Sequence, residues 1–324
     1  MGQKELNITV ADGTMIPVKL DKAKKTTIGV IHIFHGMAEH MDRYDTLVMS
    51  LNQQGYDVIR HNHRGHGPTC NQEDRGHIDS FEQVADDAFE IAQTLCTNHE
   101  GLPYIVIGHS MGSIIARLFV TKYPDAANGL ILSGTGYFSK IAGYSIATLL
   151  KIITLIFGKS KRLKWVNNLM YKTLNKKINN PKTTSDWISS DEQYVKNFID
   201  DEYTGFLVSN QLIYETVRYI NKLNRQKYIR KMHRAMPILM ISGKDDPLGN
   251  YGKGIHRLGK IFKQGHINHV TIQIYKNKRH EILFEREHEI IWQHMYDWIQ
   301  KQILTAKDIG KVSDLKCNKI NHLS

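Results

Sequence analysis

Cysteine is scarce in this chain, and what there is does not pair. Cys70, Cys96 and Cys317 are odd in number and widely scattered, which speaks against a disulfide framework and suits free thiols in a reducing compartment. Residues 1–10 hold no apolar stretch of signal-peptide length, and Leu6 stands where a myristoylation signal wants Ser or Thr. The expectation is a cytoplasmic protein. There is no internal repeat and no low-complexity tract, and no recognised nucleic-acid motif accompanies the basic charge, so no nucleic-acid partner is expected. With 324 residues, 41% hydrophobic and 23% charged, the chain is ordinary for a soluble globular protein. It has room for one large α/β domain with an insertion, or for two domains.

The net charge of +11 is concentrated in one place. Residues 136–235 hold 18 Lys and Arg against 7 Asp and Glu, so that segment alone carries the whole excess. One reading is a solvated basic surface. The other is a face that approaches anionic lipid, where each basic residue near an acidic leaflet gains about 1 kcal/mol.

Along the chain, residues 6–10 and 15–20 alternate around Asp12-Gly13 and predict a hairpin. Residues 26–34 form a continuous apolar run, as in a parallel strand covered on both faces. A helix with Tyr44, Leu47, Val48 and Leu51 at helical spacing follows and stops at Gly55, and residues 56–59 give another strand. Ser80 and Gln83 predict a capping box opening the next helix. Later strands are predicted at 129–133, 238–243 and 270–275, and a closing helix at 285–304. Strand and helix alternate up to residue 133, then stop alternating over 134–236, and resume at Pro237. That pattern predicts a doubly wound, mostly parallel sheet with a helical insertion over its carboxyl edge. The predicted division is 1–133 and 237–306 for the core, 134–236 for the cap, and 307–324 for a polar tail.

At the centre stands Tyr104-Ile105-Val106-Ile107-Gly108-His109-Ser110-Met111-Gly112-Ser113, followed by a second apolar run at helical spacing. This reads as buried strand, tight turn and helix, with Ser110 at the apex. Gly108 and Gly112 are small because a β-carbon in so cramped a turn would collide with its surroundings. The turn aims the first amides of the new helix, that of Met111 in particular, at whatever the serine attacks. A serine hydroxyl needs a histidine base, and that histidine needs a carboxylate.

Gly108-His109-Ser110-Met111-Gly112 resembles the nucleophile elbow of the α/β-hydrolase fold. His35-Gly36-Met37-Ala38-Glu39-His40 and Arg64-Gly65-His66-Gly67 resemble loops of its monoacylglycerol lipase and lysophospholipase branch, filed with the serine aminopeptidase S33 domain. The resemblance runs from Leu6 to about Ile303 and is weakest in the insertion. It implies an acid and then a histidine downstream of the serine, each in a loop after a strand. Asp246 fits the acid, with Asp245 as the alternative, and His280 fits the base. Met37 then gives the second oxyanion amide, and Gly36 lets the backbone approach. The implied activity is hydrolysis of a lipid carboxylic ester, monoacylglycerol or lysophospholipid, with no metal and no organic cofactor.

Residues 136–158 are apolar nearly all round and interrupted by Lys140 and Lys151. They are too short and interrupted to be a convincing membrane span. A buried cap helix, a greasy lip admitting an acyl chain, and a dimer contact all stay open. The lip would couple to peripheral membrane contact, with Lys159, Lys161, Arg162 and Lys164 meeting phosphates. A peptidase of this fold is the rival enzyme, and it needs carboxylates for an α-ammonium, for which Asp200-Asp201-Glu202 is the candidate cluster. His61-x-His63-x-x-His66 matches part of a zinc-hydrolase motif but has Gly65 where an acid belongs. A catalytically silent lipid- or small-molecule-binding protein is the rival from another class.

Overall fold

The computed structural model describes residues 4–305; the predicted polar tail at 307–324, with Cys317, lies outside them. The hairpin forms from β1 (Lys4–Thr9) and β2 (Met15–Asp21). β3 (Gly29–Phe34), α1 (Asp45–Gln54), β4 (Tyr56–His61), α2 (Phe81–Leu95), β5 (Tyr104–His109), α3 (Met111–Lys122) and β6 (Gly129–Ser133) follow. Helices α4 (Lys140–Phe157), α5 (Lys164–Leu174), α6 (Glu192–Asp200), α7 (Asn210–Leu223) and α8 (Gln226–Ile229) stand between β6 and β7 (Ile238–Gly243). The chain closes with α9 (Lys253–Gln264), β8 (Val270–Tyr275) and α10 (His288–Ile299).

The eight strands form one sheet in the order β1-β2-β4-β3-β5-β6-β7-β8. β2 runs antiparallel to β1 and β4, and the pairs from β4 through β8 are parallel. Alternation along the central strands sends side chains to two separate cores. Val30 and Phe34 of β3 join α2, α3 and α9 on one face, while Ile31 and Ile33 join α1 and α10 on the other. A sheet buried on both faces explains why these strands read as unbroken apolar runs.

Three local expectations need correction. Ser80 does cap α2, but its Oγ accepts from the amide of Glu82 at 3.2 Å, and Gln83 reaches instead to Asp12 at 2.6 Å. A carboxylate within reach offers a stronger acceptor than a helix-end amide offers a partner, so no capping box forms. The closing helix begins at His288, because Glu285 is wholly buried and engaged elsewhere. The buried-helix reading of residues 136–158 fails: in α4 only Gly143, Leu150, Ile153 and Thr154 are buried, while Ile141 is 82% and Leu155 74% exposed. By composition α4 is apolar enough to cross a membrane. Its 18 residues, about 27 Å as a helix, also meet the length a span needs.

Candidate active site

Parallel pairing of β5, β6, β7 and β8 brings the ends of β5, β7 and β8 to one edge of the sheet, where such sheets bind ligands. Ser110 follows β5, Asp246 follows β7 and His280 follows β8. His280 Nε2 lies 2.8 Å from Ser110 Oγ, and its Nδ1 lies 3.0 Å from Asp246 Oδ2. With Nδ1 donating to the carboxylate, Nε2 keeps a lone pair to accept from the serine hydroxyl. Asp246 is 0% exposed and His280 1%, whereas Asp245, the alternative acid, points into solvent. Its backbone has a different use: the Asp245 amide donates to Lys278 O at 2.9 Å and ties the acid loop to the histidine loop.

Ser110 adopts φ 52° and ψ −118°. Such left-handed backbone costs a non-glycine residue about 1–3 kcal/mol and persists only where the surroundings enforce it. Those surroundings are the two glycines. A Cβ on Gly112 would lie 2.1 Å from the carbonyl oxygen of Phe34, and one on Gly108 would lie 2.5 Å from that of Gly112. The strand and helix can therefore close on the serine from both sides. Ser110 is held from behind by its amide, which donates to Ser133 O at 2.9 Å.

Met111 opens α3, so its amide has no acceptor in a preceding turn. The loop after β3 leaves one amide free in a different way. The Gly36 amide donates to Glu39 Oε1, and the Ala38 amide donates to His66 Nε2 at 3.1 Å. Between them, Met37 has no acceptor among the described residues. Burial pushes His66 down to about 4, so the ring stays neutral and keeps the lone pair that Ala38 requires.

Opposing influences act on His280. Burial depresses its pKa, but the charge and hydrogen bond of Asp246, with Glu281 and Glu39 beyond, more than offset that and lift it above the ordinary 6.5. The Trp187 ring lies against it, with centroids 4.5 Å apart. This arrangement can draw a proton from a hydroxyl and hold the resulting imidazolium.

Sequence reasoning overlooked the junction beside the triad. Arg43 is nearly buried and bonds Glu39, Glu281 (2.6 Å to Oε2) and Tyr194. Glu285 receives the Arg279 amide at 2.7 Å and the Ser190 amide at 2.9 Å. Both groups stitch the segment 187–194 to the histidine loop. Glu39 stood inside a motif already noted; the others carry no local signal, because their partners are remote in the chain.

A cavity of about 760 Å³ opens above Ser110, lined mostly by apolar side chains. Ile146 and Leu149 of α4, with Trp165 and Leu169 of α5, line it and are also exposed, so they form its mouth. None of Asp200, Asp201 and Glu202 faces the cavity. Asp201 is bound by His40 at 2.8 Å and Asp200 by Lys196. Among the described residues no group of three or more His, Cys, Asp or Glu is placed to hold a metal. His61 and His63 bond each other, Nε2 to Nδ1, at 3.0 Å.

The sequence model of the family described as serine aminopeptidase, S33, matches residues 25–287. A monoacylglycerol lipase of Mycolicibacterium smegmatis is 24% identical over 84% of this chain and 88% of its own length. A probable lysophospholipase L2 of Haemophilus influenzae is 24% identical over 79% of this chain and 78% of its own. Among solved structures, a thermostable carboxyl esterase from Bacillus coagulans in complex with glycerol superposes with a TM-score of 0.85 at 27% identity. That match covers 94% of this chain and 99% of the esterase.

Proposed function

The chain belongs to the serine aminopeptidase S33 family of α/β-hydrolases, in its monoacylglycerol lipase and lysophospholipase branch, and from that premise we propose that it cleaves lipid carboxylic esters through Ser110, His280 and Asp246. The substrate class is monoacylglycerol or lysophospholipid. One observation carries the reading: the unbroken run of hydrogen bonds from Ser110 through His280 to Asp246 at the floor of a largely apolar cavity.

His280 takes the proton of Ser110 as the oxygen attacks the ester carbonyl, and the amides of Met37 and Met111 receive the oxyanion. The alcohol leaves with the proton from His280, and water then releases the acyl group by the same route. Because His280 acts neutral and its pKa is raised, activity falls in acid, with a midpoint at or above the ordinary histidine value. Residues 134–236 serve as the cap. The exposed apolar face of α4, flanked by Lys159, Lys161 and Lys164, rests on a membrane and passes an acyl chain into the mouth.

An aminopeptidase requires a free carboxylate in the site for its substrate's α-ammonium. The two carboxylates on the cavity wall, Glu39 and Glu281, are both bound to Arg43, which favours the ester. The test is labelling with a fluorophosphonate, followed by turnover of p-nitrophenyl esters beside aminoacyl anilides. Labelling and ester turnover that vanish in Ser110→Ala are expected. Folded wild type that resists the probe overturns the triad, and a preference for anilides overturns the lipid substrate.

A further inference from the structure

The cavity wall changes character where the chain leaves α5. Lys176 and Lys177 both line the cavity, and neither ammonium has a carboxylate within 4.0 Å among the described residues. The only acids on the wall among the described residues, Glu39 and Glu281, share the single guanidinium of Arg43 and leave one negative charge against the two ammonium groups. The uncompensated charge facing the cavity is therefore positive.

The lysines face a second unusual feature. Lys177 Nζ sits 3.8 Å from the centre of the Tyr251 ring, a cation–π contact that holds the ammonium over that ring. Tyr251 belongs to a turn in which Asn250, Tyr251 and Gly252 all have positive φ, at 49°, 57° and 77°. Two of the three are not glycine, so the backbone is strained where it presents these side chains. Asn250 and Tyr251 line the same cavity, and neither the Asn250 side-chain carboxamide nor the Tyr251 hydroxyl has a hydrogen-bond partner among the described residues. The turn is also tied to the triad: the Tyr251 amide donates to Asp246 O at 2.8 Å. The cavity wall thus carries four hydrogen-bond donors, two from the turn that follows the acid and two from the chain that leaves α5.

We propose that Lys176, Lys177, Asn250 and Tyr251 form the head-group subsite, and that it selects a phosphate-bearing monoacyl lipid over a neutral monoacylglycerol. This rests on the assignment of Ser110 as nucleophile. A phosphate offers several convergent acceptor oxygens and full negative charge to the two ammonium groups, whereas a glycerol hydroxyl offers a single neutral oxygen.

Water-soluble substrates keep any membrane contact out of the measurement. Turnover of monomeric 1-octanoylglycerol 3-phosphate is compared with that of 1-octanoylglycerol and p-nitrophenyl butyrate on the full chain. Wild type is expected to favour the phosphate ester in kcat/KM by about tenfold. That ratio is expected to fall about tenfold in Lys176→Gln/Lys177→Gln, mostly through KM, and Lys177→Arg in the single variant is expected to retain it. Equal kcat/KM for the two octanoyl esters in wild type, or a double variant that lowers both alike, overturns the subsite. Glycerol 3-phosphate is expected to inhibit more strongly than inorganic phosphate; the reverse order assigns the site to free phosphate and overturns the head-group reading. A wild type that shows no phosphate preference while it still turns over p-nitrophenyl butyrate sinks the subsite alone. Butyrate turnover that survives in Ser110→Ala sinks the nucleophile instead.

Discussion

The sheet and the insertion treat apolar surface in opposite ways. β3 and β5 are largely apolar and wholly covered, each apolar side chain committed to one of two cores. α4 is equally apolar, yet it leaves most of its surface bare and shares part of it with the cavity mouth. Apolar composition in the sheet answers to packing. In α4 it goes uncovered by the other described residues. The triad sits where these two logics meet, with all three side chains on core loops and the cavity roofed by insertion helices.

The comparison is broken most severely at the acid loop. Asp246→Asn leaves His280 without the group that fixes its tautomer, and about a thousandfold loss of kcat or more is expected. Asp245→Asn, on an exposed side chain one residue earlier, is expected to stay within about twofold. Steady-state hydrolysis of a soluble ester checks both, and the reverse ranking moves the acid upstream.

Next comes the seam between the regions. Arg43→Met strands two buried carboxylates, Glu39 and Glu281, and is expected to cost about 3–5 kcal/mol in urea unfolding. A loss under 1 kcal/mol would mean that core and insertion are held together elsewhere.

Acid sharpens the contrast further. His32, His35, His61, His63, His66 and His109 all belong to the core, and burial holds each below the ordinary 6.5. His61 and His109 are pushed down to about 3. They stay neutral in the fold and gain protons on unfolding below about pH 6.5. Stability is therefore full above that pH and falls as pH drops, by up to about 1.4 kcal/mol per pH unit for each imidazole. His280, with its pKa raised, acts in the opposite sense but is one against six. A urea midpoint that drops steeply from pH 7 to pH 5 is expected, and an unchanged midpoint contradicts it.

The smallest effect on folding belongs to α4. Leu155→Ser/Ile156→Ser alters two residues that are 74% and 69% exposed, so stability is expected to move by less than about 0.5 kcal/mol per site. Sedimentation with anionic vesicles is expected to fall by about tenfold from the lost apolar burial. Unchanged vesicle binding would assign the bare face to another partner.

Local order carried much of the architecture into plain view. The alternation of apolar runs announced the sheet, because a strand covered on both faces has no other composition available to it. The elbow was legible because glycine at 108 and 112 is a steric necessity that leaves a mark in the sequence. The cap of α2 and the start of α10 were misjudged for a related reason. Gln83 and Glu285 have helix-compatible side chains, and only their partners, Asp12 and the 189–190 segment, take them elsewhere.

By itself the order of residues determined the sheet and the strained serine turn, since both follow from backbone sterics and period-2 or period-3.6 burial; the acid and the histidine were placed through the resemblance. Tertiary structure alone decided that Asp246 is enclosed while Asp245 is not, that Arg43 gathers carboxylates from both ends of the chain, and that α4 is left uncovered. Periodicity states which side chains avoid water, but only the assembled fold states what, if anything, is there to cover them.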